Sequence, residues 1–242
     1  MGEKRKLKNL PHFSLTIRYC VAYVFAAIPV GLLISYFLPG AFSPFILSAF
    51  VFPVFFYFTR SEKYSDTFRL MAWAVVVQFA IVAFISFIGQ GIVTEWLYDV
   101  RHHVVAGPEV SVMRNLPEAL FFSVAGLAFT AVLSFISGGA LAVLLGVMAV
   151  NCTAVIAGSA GSFQSGLLSV LPWDVAEFTA HFFVAMGAAS LFYMNLEHRP
   201  LTFSGPVKML VLGASFAILG LFLEISLFTA WNEAGKAALV LK

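Results

Sequence analysis

The chain has 242 residues, 61% of them hydrophobic, 16% aromatic and only 11% charged, where an ordinary soluble domain carries about a quarter charged residues. That balance excludes a soluble enzyme and points to an all-α, polytopic transmembrane helical bundle. The length suits about seven spans, within a range of six to eight. The formal net charge of +2 is mild, and its placement along the chain says more than its size.

Lys4, Arg5, Lys6, Lys8 and Arg18 crowd residues 1–17 and the start of the first apolar run against a single acid, Glu3. Such a basic segment before a permanent span reads as a cytoplasmic anchor rather than a nucleic-acid patch or a cleaved leader. Three spans are predicted over residues 18–38, 41–59 and 68–94, the first pair divided by Leu38-Pro39-Gly40 and carrying Pro29 and Pro53 as expected kinks. Residues 95–116 are expected to form an external loop with Trp96 and Tyr98 as interfacial anchors, the pair His102-His103, and room for a short interfacial helix.

Four further spans are predicted over residues 117–137, 138–158, 174–195 and 206–231, within a C-terminal part of residues 117–231. Ser137-Gly138-Gly139 divides an apolar region too long for one crossing. Residues 232–242 are left as a tail. With a cytoplasmic N-terminus and seven crossings the C-terminus lies outside, and ten of the fourteen basic residues fall inside, in keeping with the orientation rule for a multi-pass protein of the cell membrane. Cys20 and Cys152 fall in apolar runs and read as reduced, packed thiols.

A few polar residues inside these spans carry the functional question, because charges are costly there. The sixth span opens with Pro172-Trp173-Asp174-Val175-Ala176-Glu177, which reads plainly as a capping-box start with Asp174 at the N-cap. Asp174, Glu177 and His181 also recur at three and four residues and so share one helical face. A helix rise of about 1.5 Å per residue puts His181 roughly 10 Å below the outer end of its span, Asn151 about 20 Å and Glu224 about 27 Å from the inner side. Asn151, Asp174, Glu177, His181 and Glu224 are therefore expected in the outer half of the bilayer, as a packed polar knot or a binding cavity. No second His or Cys cluster accompanies them and no pair of His residues sits at matching depth, so neither a metal nor a cofactor is expected. Gln78 and Asn195 read as interhelical hydrogen-bond partners, and Gly187 to Ser190, Gly213 and Gly220 as sites of close helix approach. Gly158-Ser159-Ala160-Gly161-Ser162 lacks a base and is a weak serine-nucleophile pattern.

The C-terminal half resembles the integral-membrane family named after the stage II sporulation protein M. The residues that carry the likeness are Asn151 in Val147-Met148-Ala149-Val150-Asn151, then Gly158, then Pro172 with Glu177 and Ala180, then Glu224 in Gly220-Leu221-Phe222-Leu223-Glu224-Ile225. Cys152 stands where that family has a glycine, and Trp173-Asp174 where it has His-Gly. The resemblance implies a non-catalytic multi-pass component linked to membrane or cell-envelope remodelling.

Three functions remain open on these residues. The first is a non-enzymatic structural or assembly subunit of a membrane complex, held by lipid and by other membrane proteins or its own copies through small-residue faces. The second is a transporter or permease component, which requires an outward-facing polar cavity. The third is an intramembrane metal-dependent hydrolase built on Asp174, Glu177 and His181.

Overall fold

Within a bilayer the backbone finds no water to bond, so an apolar segment must satisfy its own N–H and C=O groups, which a helix does. The computed structural model describes residues 17–37, 43–88, 116–159, 166, 168 and 170–240. In them the chain forms α1 (Ile17–Tyr36), α2 (Ser43–Arg60), α3 (Tyr64–Ile88), α4 (Leu116–Ser137), α5 (Ala140–Ser159), α6 (Pro172–Leu196) and α7 (Ser204–Val240). Five of these, α3 to α7, are long and apolar enough to cross a membrane, while the apolar stretches described in α1 and α2 are shorter, Tyr19–Gly31 and Ala49–Arg60. The protein is an all-α, multi-pass membrane protein. The basic N-terminus, the connection with Trp96, Tyr98, His102 and His103, and most of the uncharged segment before α6 lie outside the described residues.

One local expectation is corrected. Asp174 is not the N-cap of α6: the cap is Leu171, in an extended conformation with no side-chain cap bond, and Pro172 opens the helix. Proline is favoured at that position because its missing N–H would be unpaired anyway, so the helix starts before Asp174 and the acid falls in its first turn. Toward the other end of the chain the apolar span ends at Trp231, and α7 continues beyond it as helix to Val240, which Ala234, Ala237 and Ala238 favour. Pro29 and Pro53 both lie inside continuous helices.

Three turns at one end of the bundle share one device. The Lys63 N–H bonds the Phe58 carbonyl, the Gly139 N–H that of Ser134, and the Arg199 N–H that of Met194, each at 2.9 Å. These are Schellman closures, which need a left-handed residue just past the helix. Gly138 supplies it after α4 with φ 61°, whereas Glu62 and His198 adopt φ 56° and 51° after α2 and α6. Gly138 and Gly139 also lie so close to Tyr193 and Phe55 that a Cβ would collide with those rings.

Spatial neighbours do not follow chain order. α5 packs chiefly on α3 and α2, with α1 against α2 and α3, while α4 packs on α6 and α6 on α7. The α6–α7 seam is antiparallel with a step of seven residues on each side: Gly187 meets the Pro206 carbonyl, Gly213 that of Ala180 and Gly220 that of Trp173, where a Cβ would stand 2.9, 3.0 and 3.3 Å away. Small residues at such a step let two backbones approach along their length, the usual basis of helix association in lipid. Gly158 does the same for α5 against the Ala83 carbonyl of α3.

Candidate functional site

Where the α3–α5 pair faces the α4–α6 pair, the helices stand apart and leave a cavity of about 580 Å³. Its walls are chiefly aliphatic and aromatic, with Thr130, Thr153, Asp174, Glu177 and His181 as the polar contributions. A volume of that order suits a small-molecule ligand, and apolar walls with a few placed polar groups are the normal make-up of such a site. Among the wall residues, Val76, Leu145, Ala149, Asp174 and Val175 are exposed, so the cavity opens sideways at bilayer depth as well as at the start of α6.

The α6 face that sequence periodicity singled out is the polar wall. His181 hydrogen-bonds through Nδ1 with the Thr130 hydroxyl at 2.7 Å, and its ring lies against Gly126, where a Cβ would stand 3.1 Å from Cε1. Gly126 and Thr130 are one turn apart on α4, so one face of that helix both makes room for the imidazole and orients it. Glu177 is half-buried with its stem against α7, where a Cβ on Gly220 would lie 3.0 Å from Glu177 Cγ. Asp174 stands exposed one turn earlier. Among the described residues, no three of His, Cys, Asp and Glu gather into a metal-binding group, so the hydrolase reading has no ligand set there.

Asn151 and Glu224 are not cavity walls. Asn151 is buried in the α3–α5 seam, where Gln78 Nε2 donates to its Oδ1 at 2.9 Å, and its own Nδ2 has no partner. Glu224 is half-buried on α7 one turn beyond Gly220, on the face that also carries buried Ala217, Leu221 and Phe228. Near that end Trp231 Nε1 donates to the Leu168 carbonyl at 2.8 Å, tying α7 to the segment before α6. Asn195, expected between helices, is exposed. Cys20 and Cys152 are free and buried.

Toward the end with the three Schellman turns the space closes in two layers. Phe182 packs on Phe55 and Phe68 with centroids 5.9 and 6.2 Å away, and Phe68 stacks on Phe183 at 5.0 Å. Beyond them Arg60 pairs with Glu197, while Arg199 pairs with Glu62 at 3.0 Å and Glu197 at 2.8 Å and also donates to the Arg60 carbonyl. This quartet joins the α2–α3 turn to the α6–α7 turn, so it clamps the two helix groups together at that end. Nothing in sequence spacing announced Gly126, Thr130 or the quartet; the only trace was a polar residue within an apolar span and charges at span ends.

The sequence matches no family model, no curated protein and no solved structure. The likeness to the stage II sporulation protein M family therefore stands on its quoted residues alone, and what is established is a polytopic helical membrane protein.

Proposed function

We propose that this protein is a non-enzymatic membrane-embedded binding protein, a transporter or permease component that receives a small amphipathic molecule in the cavity between α3–α5 and α4–α6. The observation that carries this is the cavity itself, about 580 Å³ with Asp174, Glu177 and His181 in its wall, which a transporter requires and a purely structural subunit does not. The aromatic layer and the Arg60, Glu62, Glu197 and Arg199 quartet on the other side support a chamber closed at one end. In this reading all seven helices cross the bilayer, the N-terminus and the quartet face the cytoplasm, and the chamber opens toward the outer leaflet, consistent with the gathering of Arg60, Lys63, Arg69, Arg199 and Lys208 at one end.

The assembly-subunit reading relied on free small-residue faces, and Gly187, Gly213 and Gly220 are used inside the chain along the α6–α7 seam. The test is native mass spectrometry of the full chain released from mild detergent, beside Ala149→Trp, which fills the cavity from an exposed wall position. Wild-type protein should retain a small-molecule adduct that the variant loses while keeping its thermal stability. Identical spectra for both, or a bare wild-type mass, would refute the reading.

A further inference from the structure

The exposed rim of the cavity at Val76, Leu145 and Val175 lies at bilayer depth, so a molecule dissolved in the lipid reaches the interior from the side. What it meets there is chiefly apolar, with Phe79, Leu133, Val147, Phe178 and Phe182 in the wall. His181 stands in the same wall, one turn from Phe178 and one turn from Ala185 along α6. Its Nδ1 lies 2.7 Å from the Thr130 hydroxyl.

Thr130 decides which ring nitrogen carries the proton. Among the described residues, His181 Nδ1 is the one partner of the Thr130 hydroxyl, and a hydroxyl proton in an apolar wall needs an acceptor. The hydroxyl therefore donates to Nδ1, and the N–H is on Nε2. The reverse arrangement, with Nδ1–H donating to the hydroxyl, would leave the hydroxyl proton with nothing to bond. Among the described residues Nε2 has no protein partner and is not one of the fully buried orphaned atoms, so it is a donor open to a ligand. An apolar body that enters the cavity strips water from this N–H. Unless the molecule brings an acceptor of its own, the donor is left buried and unpaired, which is the costly case. A carbonyl oxygen supplies that acceptor and adds no N–H or O–H that would itself need a partner among apolar side chains. We propose, building on the cavity reading above, that the cavity selects bilayer-dissolved carbonyl compounds. The oxygen accepts from His181 Nε2, the body lies against Phe79, Phe178 and Phe182, and Thr130 is the positioning residue that holds the ring proton on Nε2.

Benzophenone and diphenylmethane test this directly, since both carry a pair of phenyl rings on one carbon and differ by the carbonyl oxygen. The full chain in neutral detergent is loaded with an uncharged naphthylamine dye that fluoresces in apolar surroundings. Each compound is titrated against it, with its concentration corrected for partition into empty micelles. Benzophenone should displace the dye at a concentration about tenfold lower than diphenylmethane, a difference of about 1.4 kcal/mol. That ratio, formed within each protein so that a change in dye affinity cancels, should fall to about one in His181→Leu, which removes the donor. It should about halve or fall further in Thr130→Val, which keeps the ring but frees its proton to move to Nδ1. A purely structural role for either residue would weaken both compounds alike and leave the ratio unchanged. Equal displacement in wild type, or a ratio that survives His181→Leu, overturns the inference, and Thr130→Val decides in its place if His181→Leu loses its helical circular dichroism. A ratio lost in His181→Leu but unchanged in Thr130→Val overturns the positioning role. Decylubiquinone and dioctanoylglycerol, titrated in the same way, separate the bilayer sources of such an oxygen, a quinone ring and an acyl ester: the one that acts at lower concentration names the source, and displacement by neither overturns the inference. In every overturning case, dye binding that is lost in Ala149→Trp leaves the cavity reading standing. Dye binding that is absent in wild type, or unchanged in Ala149→Trp, removes the cavity reading and this inference with it.

Discussion

The hydrogen bond between Gln78 and Asn151 is a polar contact between two spans whose energetics can be isolated by a double-mutant cycle. Both side chains are buried, at 2% and 5% exposure, and the bond is 2.9 Å long. Asn151→Leu keeps the branched side-chain shape but removes the acceptor, leaving the Gln78 amide buried and unpaired, at about 1–2 kcal/mol. Gln78→Met leaves both ends of the Asn151 amide without a partner, since Nδ2 already lacks one, and should cost about as much or slightly more. The double variant removes every orphaned group at once and should return to within about 0.5 kcal/mol of wild type. The coupling energy is then about 1.5–4 kcal/mol, with the lower half favoured because an unfolded chain in the membrane also finds polar partners. Reversible unfolding of the four proteins in mixed micelles, followed by circular dichroism, measures it. If the double variant shows the sum of the two single losses, the pair is not energetically coupled and the reasoning fails.

Gly213→Ala should destabilise the fold by about 1–3 kcal/mol, because the new Cβ would stand 2.6 Å from Val184 Cγ2 and 3.0 Å from the Ala180 carbonyl. Ala214→Leu, one residue on and exposed, should change little in the same unfolding assay. Arg199→Met removes the pairs to Glu62 and Glu197; with side chains a quarter to a third exposed the loss should be about 1 kcal/mol, smaller in high salt, and a salt-independent loss would assign it to packing. His198→Gly should raise stability by about 0.5–1 kcal/mol by relieving the left-handed backbone at φ 51°, and a lowered melting temperature would show that the exposed imidazole contributes a contact of its own.

The helical content of this chain was legible without a structure, because length, hydropathy and breakers act on each segment separately. Ser137-Gly138-Gly139 marked a break by local backbone preference, the break expected at Leu38-Pro39-Gly40 lies outside the described residues, and the shared face of Asp174, Glu177 and His181 followed from the helical repeat. Their common wall in one cavity agrees with that spacing. The helix pairing was not legible. A helix that is apolar all round carries no stripe to say which side is buried, so nothing in α5 signalled that it would leave its chain neighbour α4 and pack on α3.

For the same reason Asn151 and Glu177 could be assigned a depth but not a partner: rise per residue sets height in the bilayer, while rotation about the helix axis is decided only when neighbouring backbones dock. The glycine steps at Gly187, Gly213 and Gly220 set that rotation for α6 and α7, and with it the side of α6 that faces the cavity. Segment identity and depth are thus properties of the local sequence, and the joining of Gln78 to Asn151, of Thr130 to His181 and of Arg199 to Glu62 belongs to the tertiary structure, because each depends on close packing between segments far apart in the chain.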